Sequence, residues 1–421
     1  MSRSASSNFL WRPWIPVTEP VELQITEARG CHVRDAEGTW YLDGISGVLN
    51  ASCGHGHPRL IEAATSQMRR LAHYDPMAAS HEPAANLAAR LAEIMPGDLN
   101  ETFLLNSGSE GIEAALKIVW QYWRNLGQER ERVISFAAGY HGTTALGQEL
   151  SGLPFTVNDW DDRFPVDQVT LPASPRALRT PEGAEALLAR FAQALENGTP
   201  AAAVVVEPLL GLGGCVVLPE GFLAGLRRLC DEHGTLLLLD EIFTGFGRTG
   251  RMFGFEHDGI TPDIVVSSKG ISSGLIPLAA LTATTAIKDT FRNSEVAQGL
   301  RYGHTTGGHA VAAAVAIAVL DVMAEEKLVE NAAAQGARIQ AGLDAFRAHP
   351  KIADIRGQGL VIAIEADSPE TAGVLATAAM RQGLLVRGER GVLRIAPPLT
   401  ITADESLELV EKLGGAVAAL D

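Results

Sequence analysis

Three apolar runs of the chain end on side chains able to do chemistry. Ala202–Val206 leads into Glu207, Leu236–Leu239 into Asp240, and Ile264–Val266, through Ser267 and Ser268, into Lys269. An amine held part-way out of water loses proton affinity and becomes a nucleophile able to form a Schiff base. A carboxylate at the end of a buried strand needs a cationic or donor partner, because an unpaired charge there costs about several kcal/mol. A protonated heterocyclic nitrogen would be one such partner. A fourth run, Phe103–Leu105, passes into Asn106–Ser107–Gly108–Ser109–Glu110 and then a helix-like stretch. Free N–H groups at a helix start, with hydroxyls and a glycine that permits close approach, make an anion site. Taken singly, these features have plainer accounts: a solvated lysine, an Asp capping the next turn, a serine N-cap.

The elements that must position these residues read as a parallel α/β arrangement. Between Ala202–Val206 and Leu236–Leu239 lies Pro219–His233, with Phe222, Leu223, Leu226 and Leu229 at helical spacing and Gly234 as its C-cap. Strand, helix, strand in that length is a βαβ unit, which implies a parallel sheet buried on both faces. In open α/β sheets ligands lie outside the carboxyl ends of the strands, so Glu207, Asp240 and Lys269 are expected to share one crevice. Ser109–Arg124 reads as an amphipathic helix carrying Glu113 and Lys117 as an i, i+4 pair. Further on come an Ala-rich helix (about His309–Glu325), a second near Asn331–Ala348, and a hairpin of Leu384–Arg387 with Val392–Ile395. Near the N-terminus Cys31–Val33 and Trp40–Leu42 flank another hairpin. The expected division is a large cofactor-binding domain over residues 58–305, with a mostly parallel sheet flanked by helices, and a smaller α+β domain from residues 1–57 and 306–421.

Composition narrows the function classes. The chain has 421 residues and a net charge of −16, which argues against non-specific nucleic-acid or anionic-membrane binding. Cys31, Cys53, Cys215 and Cys230 have neither zinc-site spacing nor the density of a disulfide framework, and a cytoplasmic location fits best. Met1–Leu10 lacks the apolar core of a secretory signal, and the longest apolar run, Ala310–Leu320, is too short to span a membrane. No G-x-x-x-x-G-K-[ST] occurs, and the G-x-G-x-x-G pattern opening at Gly211 fails at Val216.

Together the four runs match the needs of pyridoxal 5′-phosphate: a phosphate cradle, an acid partner for the pyridinium nitrogen and a lysine for the aldehyde. Tyr140, in Gly139–Tyr140–His141–Gly142, offers an aromatic face to stack on the ring. The chain resembles a class III pyridoxal-phosphate aminotransferase of fold type I, like the ω-amino acid:pyruvate and diaminopelargonate enzymes. The stretches that carry the resemblance are YLDGISGVLNASCGHGHP from Tyr41, FLLNSGSE from Phe103, GYHGTT from Gly139 and VVVEPLLGLGG from Val204. LLLLDEIFTGFGRTG from Leu236, SSKGISSG from Ser267 and LRIAPPLT from Leu393 complete the set.

The resemblance implies Lys269 as the Schiff-base and proton-transfer residue and Asp240 as the pyridinium partner. It implies Ser107, Gly108 and Ser109 at the phosphate, Tyr140 on the ring with His141 beside it, and Thr305 reaching the phosphate of the neighbouring subunit of a homodimer. In ornithine-type members the glutamate matching Glu207 pairs with the arginine matching Arg394, releasing it for a carboxylate; in ω-amine:pyruvate members a mobile arginine matches Arg387. The chain departs from many relatives at Phe243, where they carry Gln, at Gly111–Ile112, and at Leu209–Leu210. Leu10–Trp11–Arg12–Pro13 and Gln121–Tyr122–Trp123 are similar instead to the diaminopelargonate and ω-amine branches. Amino transfer by a ping-pong route between an amine or amino acid and a keto acid or aldehyde is the expected activity. A class III isomerase or a non-catalytic cofactor-binding protein are the alternatives.

Overall fold

Strands that are apolar on every residue must be covered on both sides, and the computed structural model of the chain meets that demand with a seven-stranded sheet between two helical layers. The structure describes residues 10–15, 23–156, 164–292, 294 and 298–420; most of the Met1–Leu10 stretch, residues 1–9, lies outside them. In chain order the strands are β1 (Leu99–Leu105), β2 (Val133–Phe136), β3 (Val166–Val169), β4 (Ala203–Val206), β5 (Leu236–Asp240), β6 (Ile264–Ser267) and β7 (Ala279–Thr284). Their order across the sheet is β1-β7-β6-β5-β4-β2-β3. All run parallel except β7, which is antiparallel to both β1 and β6.

Side-chain alternation divides the core into two layers. Val204, Val206, Leu237, Leu239 and Val265 join one cluster, and Ala203, Val205, Leu236, Leu238, Ile264 and Val266 the other. On the second face lies α1 (Gly108–Asn125), so close to β6 that a Cβ on Gly111 would come within 2.6 Å of Val266 Cγ1. On the first face α2 (Phe222–Glu232) sets Phe222 against Phe136 and Phe191. Within α1 the expected Glu113–Lys117 pair does not form. Glu113 accepts a hydrogen bond from the Leu146 amide, at 2.8 Å, and Lys117 stands over the Tyr302 ring, because both find partners on neighbouring elements.

The Ala-rich segment forms α3 (Ala310–Glu325), whose small residues allow close packing on the helices Pro58–Arg70 and Glu82–Ile94 and on the turn Lys269–Ser272. It continues into α4 (Leu328–Leu343), which covers a second sheet of β8 (Ile352–Gln358), β9 (Val361–Ala366), β10 (Arg387–Glu389) and β11 (Val392–Ile395), all antiparallel. The expected C-terminal hairpin is therefore shorter than its apolar pattern suggested. Leu384–Leu385 leaves it to pair in parallel with Trp40–Asp43, closing the N-terminal hairpin onto the C-terminal part of the chain. In that position Leu384 is buried in the main core.

Candidate active site

The sheet register brings the expected residues to one edge. Leu239 lies opposite Val206 and Asp240 opposite Val266, so Glu207, Asp240 and Ser267 leave the sheet side by side. Because β7 is antiparallel to its two neighbours, β1 runs in the same sense as β6 and delivers Ser107 to that same edge. Two residues past Ser267, Lys269 takes a left-handed conformation, φ 43°, and its Nζ lies 5.2 Å from the ring of Phe243, in the turn that follows Asp240.

Lys269 is half-buried, and burial holds its proton affinity below the ordinary lysine value, against the opposing pull of Asp240 and Glu207. Asp240 is buried and doubly held: Oδ1 accepts from the Ile242 amide at 3.1 Å, and Oδ2 lies 2.8 Å from His141 Nδ1. A carboxylate only accepts, so Nδ1 carries the proton in that pair. His141 is fixed in turn by its own amide, which donates to Ser151 Oγ at 2.8 Å, and by Nε2, 3.3 Å from Ser135 Oγ. The Asp240 carboxylate retains lone pairs for a further donor, which a lone turn-capping Asp would not need to hold so rigidly.

Ser107 caps α1 within a capping box: its Oγ accepts from the Glu110 amide, while Glu110 Oε2 accepts from the amides of Asn106 and Ser107. The amides of Gly108 and Ser109 lie in the first helical turn, where no internal carbonyl reaches them. Ser109 Oγ accepts from the Thr143 amide at 3.3 Å, tying this terminus to the Tyr140–Gly142 loop. That loop approaches so closely that a Cβ on Gly142, at φ 104°, would lie 2.3 Å from Ser109 Oγ. Tyr140 is half-buried between the loop and the acidic pair, and burial raises its phenol above the ordinary tyrosine value.

Glu207 is spent locally. Its Oε1 accepts from the Tyr140 amide at 3.0 Å and its Oε2 from the Gly211 amide at 2.9 Å. Burial raises its carboxyl to about 7. Among the described residues no ion pair joins it to Arg394, the partner that the ornithine-type pattern would assign. Arg394 instead donates to Glu389 Oε2 at 2.8 Å, because β10 presents Glu389 on the face that Arg394 occupies on β11. Arg387 is exposed, with Nε 3.4 Å from Glu389 Oε1. Phe243 places its ring 5.2 Å from Lys269 Nζ, and packs so tightly on Gly211 that a Cβ there would lie within 2.7 Å of it.

Three features escaped the motif reading. Glu241, wholly buried, accepts from the Thr244 hydroxyl and from the amides of Gly254 and Phe255, and so shapes the turn after Asp240. Arg248, also buried, donates to the carbonyls of Leu360 and Pro397 and to Ser46 Oγ, drawing the small sheet onto the large one. Glu389 was detectable, since it follows Arg387 by two in a strand and so shares its face. Thr305 is exposed, and its neighbour Thr306 donates to Asn106 Oδ1 at 3.0 Å, which keeps this segment beside the start of α1.

With the strand ends, buried acids and lysine on one edge, the family comparison is decisive. Residues 15–417 match the family model described as aminotransferase class-III. The chain belongs to the class-III aminotransferases. It is 36% identical over 443 residues to an adenosylmethionine-8-amino-7-oxononanoate aminotransferase of Nitratidesulfovibrio vulgaris, a match covering 99% of this chain and 82% of the relative. Among solved structures it is similar to a thermostable (S)-enantioselective omega-transaminase from Thermomicrobium roseum, with TM-score 0.91 and 34% identity over 97% of this chain and 96% of that one. It is also similar to a PLP-bound amine transaminase from an uncultivated Pseudomonas species, with TM-score 0.93 and 31% identity over 98% and 99% of the two chains. This aminotransferase is a pyridoxal-phosphate enzyme of the α/β type expected, and nothing in the comparisons favours the isomerase. Its residues fit the cofactor: the doubly held Asp240, the half-buried Lys269 and the helix start at Gly108 offer an acid, an amine and an anion site on one edge.

Among the described residues no helix is long and apolar enough to cross a membrane, and no group of three or more His, Cys, Asp or Glu is placed to hold a metal. The four cysteines are buried and unpaired.

Proposed function

We propose that Lys269 is the amine that holds pyridoxal phosphate and shuttles the proton in this aminotransferase, with Asp240 as the partner of the ring nitrogen. The observation that carries this reading is the half-buried amine sharing one sheet edge with the buried Asp240. When bound, the cofactor supplies a protonated ring that withdraws electrons from the substrate carbon bearing nitrogen. Asp240, braced by His141 and the Ile242 amide, holds its charge against that ring without reorganising. Lys269 Nζ would hold the cofactor's aldehyde and, as a free amine, would move the proton, a role that its depressed proton affinity suits. Ser107, Gly108 and Ser109 would hold the phosphate through the start of α1, Tyr140 would stack on the ring, and Phe243 lines the site, its ring 5.2 Å from Lys269 Nζ.

The likeness to omega- and amine transaminases supports a donor whose amine is not adjacent to a carboxylate, with Arg387 and Arg394 recognising the carboxylate of a keto-acid acceptor. Thr305 completes the phosphate site of a partner subunit in a homodimer, and the enzyme works in the cytoplasm. The large domain, residues 58–305, and the smaller one, residues 1–57 and 306–421, belong to this same reading.

Lys269→Ala provides the test. The variant is expected to lose the borohydride-reducible visible absorption band of the holoenzyme; retention of a reducible band on the purified variant would refute the assignment.

A further inference from the structure

The two arginines nominated for a substrate carboxylate converge on one acid. Arg394 Nη2 lies 2.8 Å from Glu389 Oε2, Arg387 Nε lies 3.4 Å from Glu389 Oε1, and Arg390 Nη2 lies 3.7 Å from Glu389 Oε2. The hairpin register explains the gathering. Arg387 stands opposite Arg394, a like-charge pair that would repel, and Glu389 follows Arg387 by two on the same face. The opposite face of the hairpin is closed: a Cβ on Gly388 would lie 2.1 Å from the Ala372 carbonyl oxygen. On the charged face, Ala363 pairs with Arg394 and clusters with Phe243, whose ring is 5.2 Å from Lys269 Nζ. The hairpin's charges therefore border the reaction site.

Glu389 and Glu207 differ in what their departure would cost. Glu207 is 3% exposed and holds two backbone amides, which would be left without acceptors if it swung away. The Glu389 side chain is 36% exposed, whereas that of Arg394 is 5% exposed. Water can therefore take up the carboxylate far more readily than the guanidinium. Arg390 anchors the turn by stacking its guanidinium 3.9 Å from the Phe155 ring centre and donating to the Leu212 carbonyl, so a rotation of Glu389 need not move the backbone.

We propose that Glu389 is the specificity-determining counter-ion of this site: it neutralises Arg394 while an uncharged substrate occupies the pocket, and yields it to the carboxylate of a keto or amino acid. Glu207 stays on its amides throughout. The proposal rests on the aminotransferase site described above and adds the means by which one pocket admits both charged and uncharged substrates.

The experiment compares pyruvate with propanal, which lacks the carboxylate, as acceptors for the pyridoxamine-phosphate form of the holoenzyme. Half-saturating concentration and limiting rate are read separately from the cofactor spectrum. Removing the competing charge in Glu389→Gln is expected to lower the half-saturating pyruvate concentration about fivefold, the scale of an ion pair partly open to water, while leaving the limiting rate with pyruvate and the propanal half-saturation little changed. Glu389→Asp keeps the charge and is expected to return pyruvate toward the wild-type value. Glu207→Gln is expected to leave the pyruvate-to-propanal ratio of half-saturating concentrations unchanged. The proposal is overturned by an unchanged ratio in Glu389→Gln, by parallel weakening of both acceptors, or by a ratio that moves in Glu207→Gln instead. Failure of the underlying site reading shows elsewhere, as a reducible band that survives in Lys269→Ala.

Discussion

At the scale of single residues, the unusual feature is how much acid is buried at the ends of β4 and β5, where Glu207, Asp240 and Glu241 all lie out of water. Glu207 and Glu241 both have carboxyls raised to about 7, chiefly by burial and against the hydrogen bonds that favour their charged forms. A carboxyl whose folded value exceeds its ordinary 4.5 binds more protons folded than unfolded. Its favourable contribution to stability is therefore fully present below about 4.5 and is lost as pH rises through about 7. For Glu207 the loss is at most roughly 3 kcal/mol. The thermal midpoint of the holoenzyme should fall between pH 5 and 8, and Glu207→Gln should flatten that slope while leaving the share due to Glu241. Identical slopes in the two proteins would contradict the account.

At the scale of elements, the cofactor edge depends on loops that touch at backbone distance. A methyl group at Gly142 would meet Ser109 at Oγ, Cβ and Cα, and the residue's φ of 104° disfavours any side chain in addition. Gly142→Ala should cost about 1–3 kcal/mol in equilibrium unfolding and displace Ser109 from the start of α1. Dialysis followed by measurement of retained pyridoxal phosphate checks the second effect: wild-type retention with wild-type stability would show that the two loops have room to part. The same closeness accounts for much of the chain's glycine. Gly108 faces Ile242, Gly111 faces Val266 and Gly211 faces Phe243, and in each case a Cβ would fall 2.7 Å or less from its neighbour.

At the scale of the whole molecule, one chain leaves apolar surface uncovered: Trp11 is 86% exposed and Met77 89%. Thr305 is exposed on a segment held beside Asn106. The homodimer proposed above, with Thr305 reaching the partner's phosphate site, predicts a dimer that retains the cofactor less well when it dissociates. Sedimentation combined with cofactor retention on dilution tests this, with Thr305→Ala expected to release the cofactor more readily at every concentration. A monomer that keeps its cofactor fully would count against the shared site. Local pattern was enough to place the strand ends: the apolar runs form strands that stop at or just before Glu207, Asp240 and Lys269, and burial of such a run leaves its polar end few places to go. The helix start at Ser107 was legible for the same reason, since capping chemistry is local. What lay outside the sequence was relative placement. Only the antiparallel β7, inserted between β1 and β6, brings Ser107 to the edge that holds Lys269, and only the hairpin register, with Glu389 opposite Val392 and Arg387 opposite Arg394, brings Glu389 to Arg394. Strand order and register depend on contacts between residues far apart in the chain, and those are decided by packing the whole core at once.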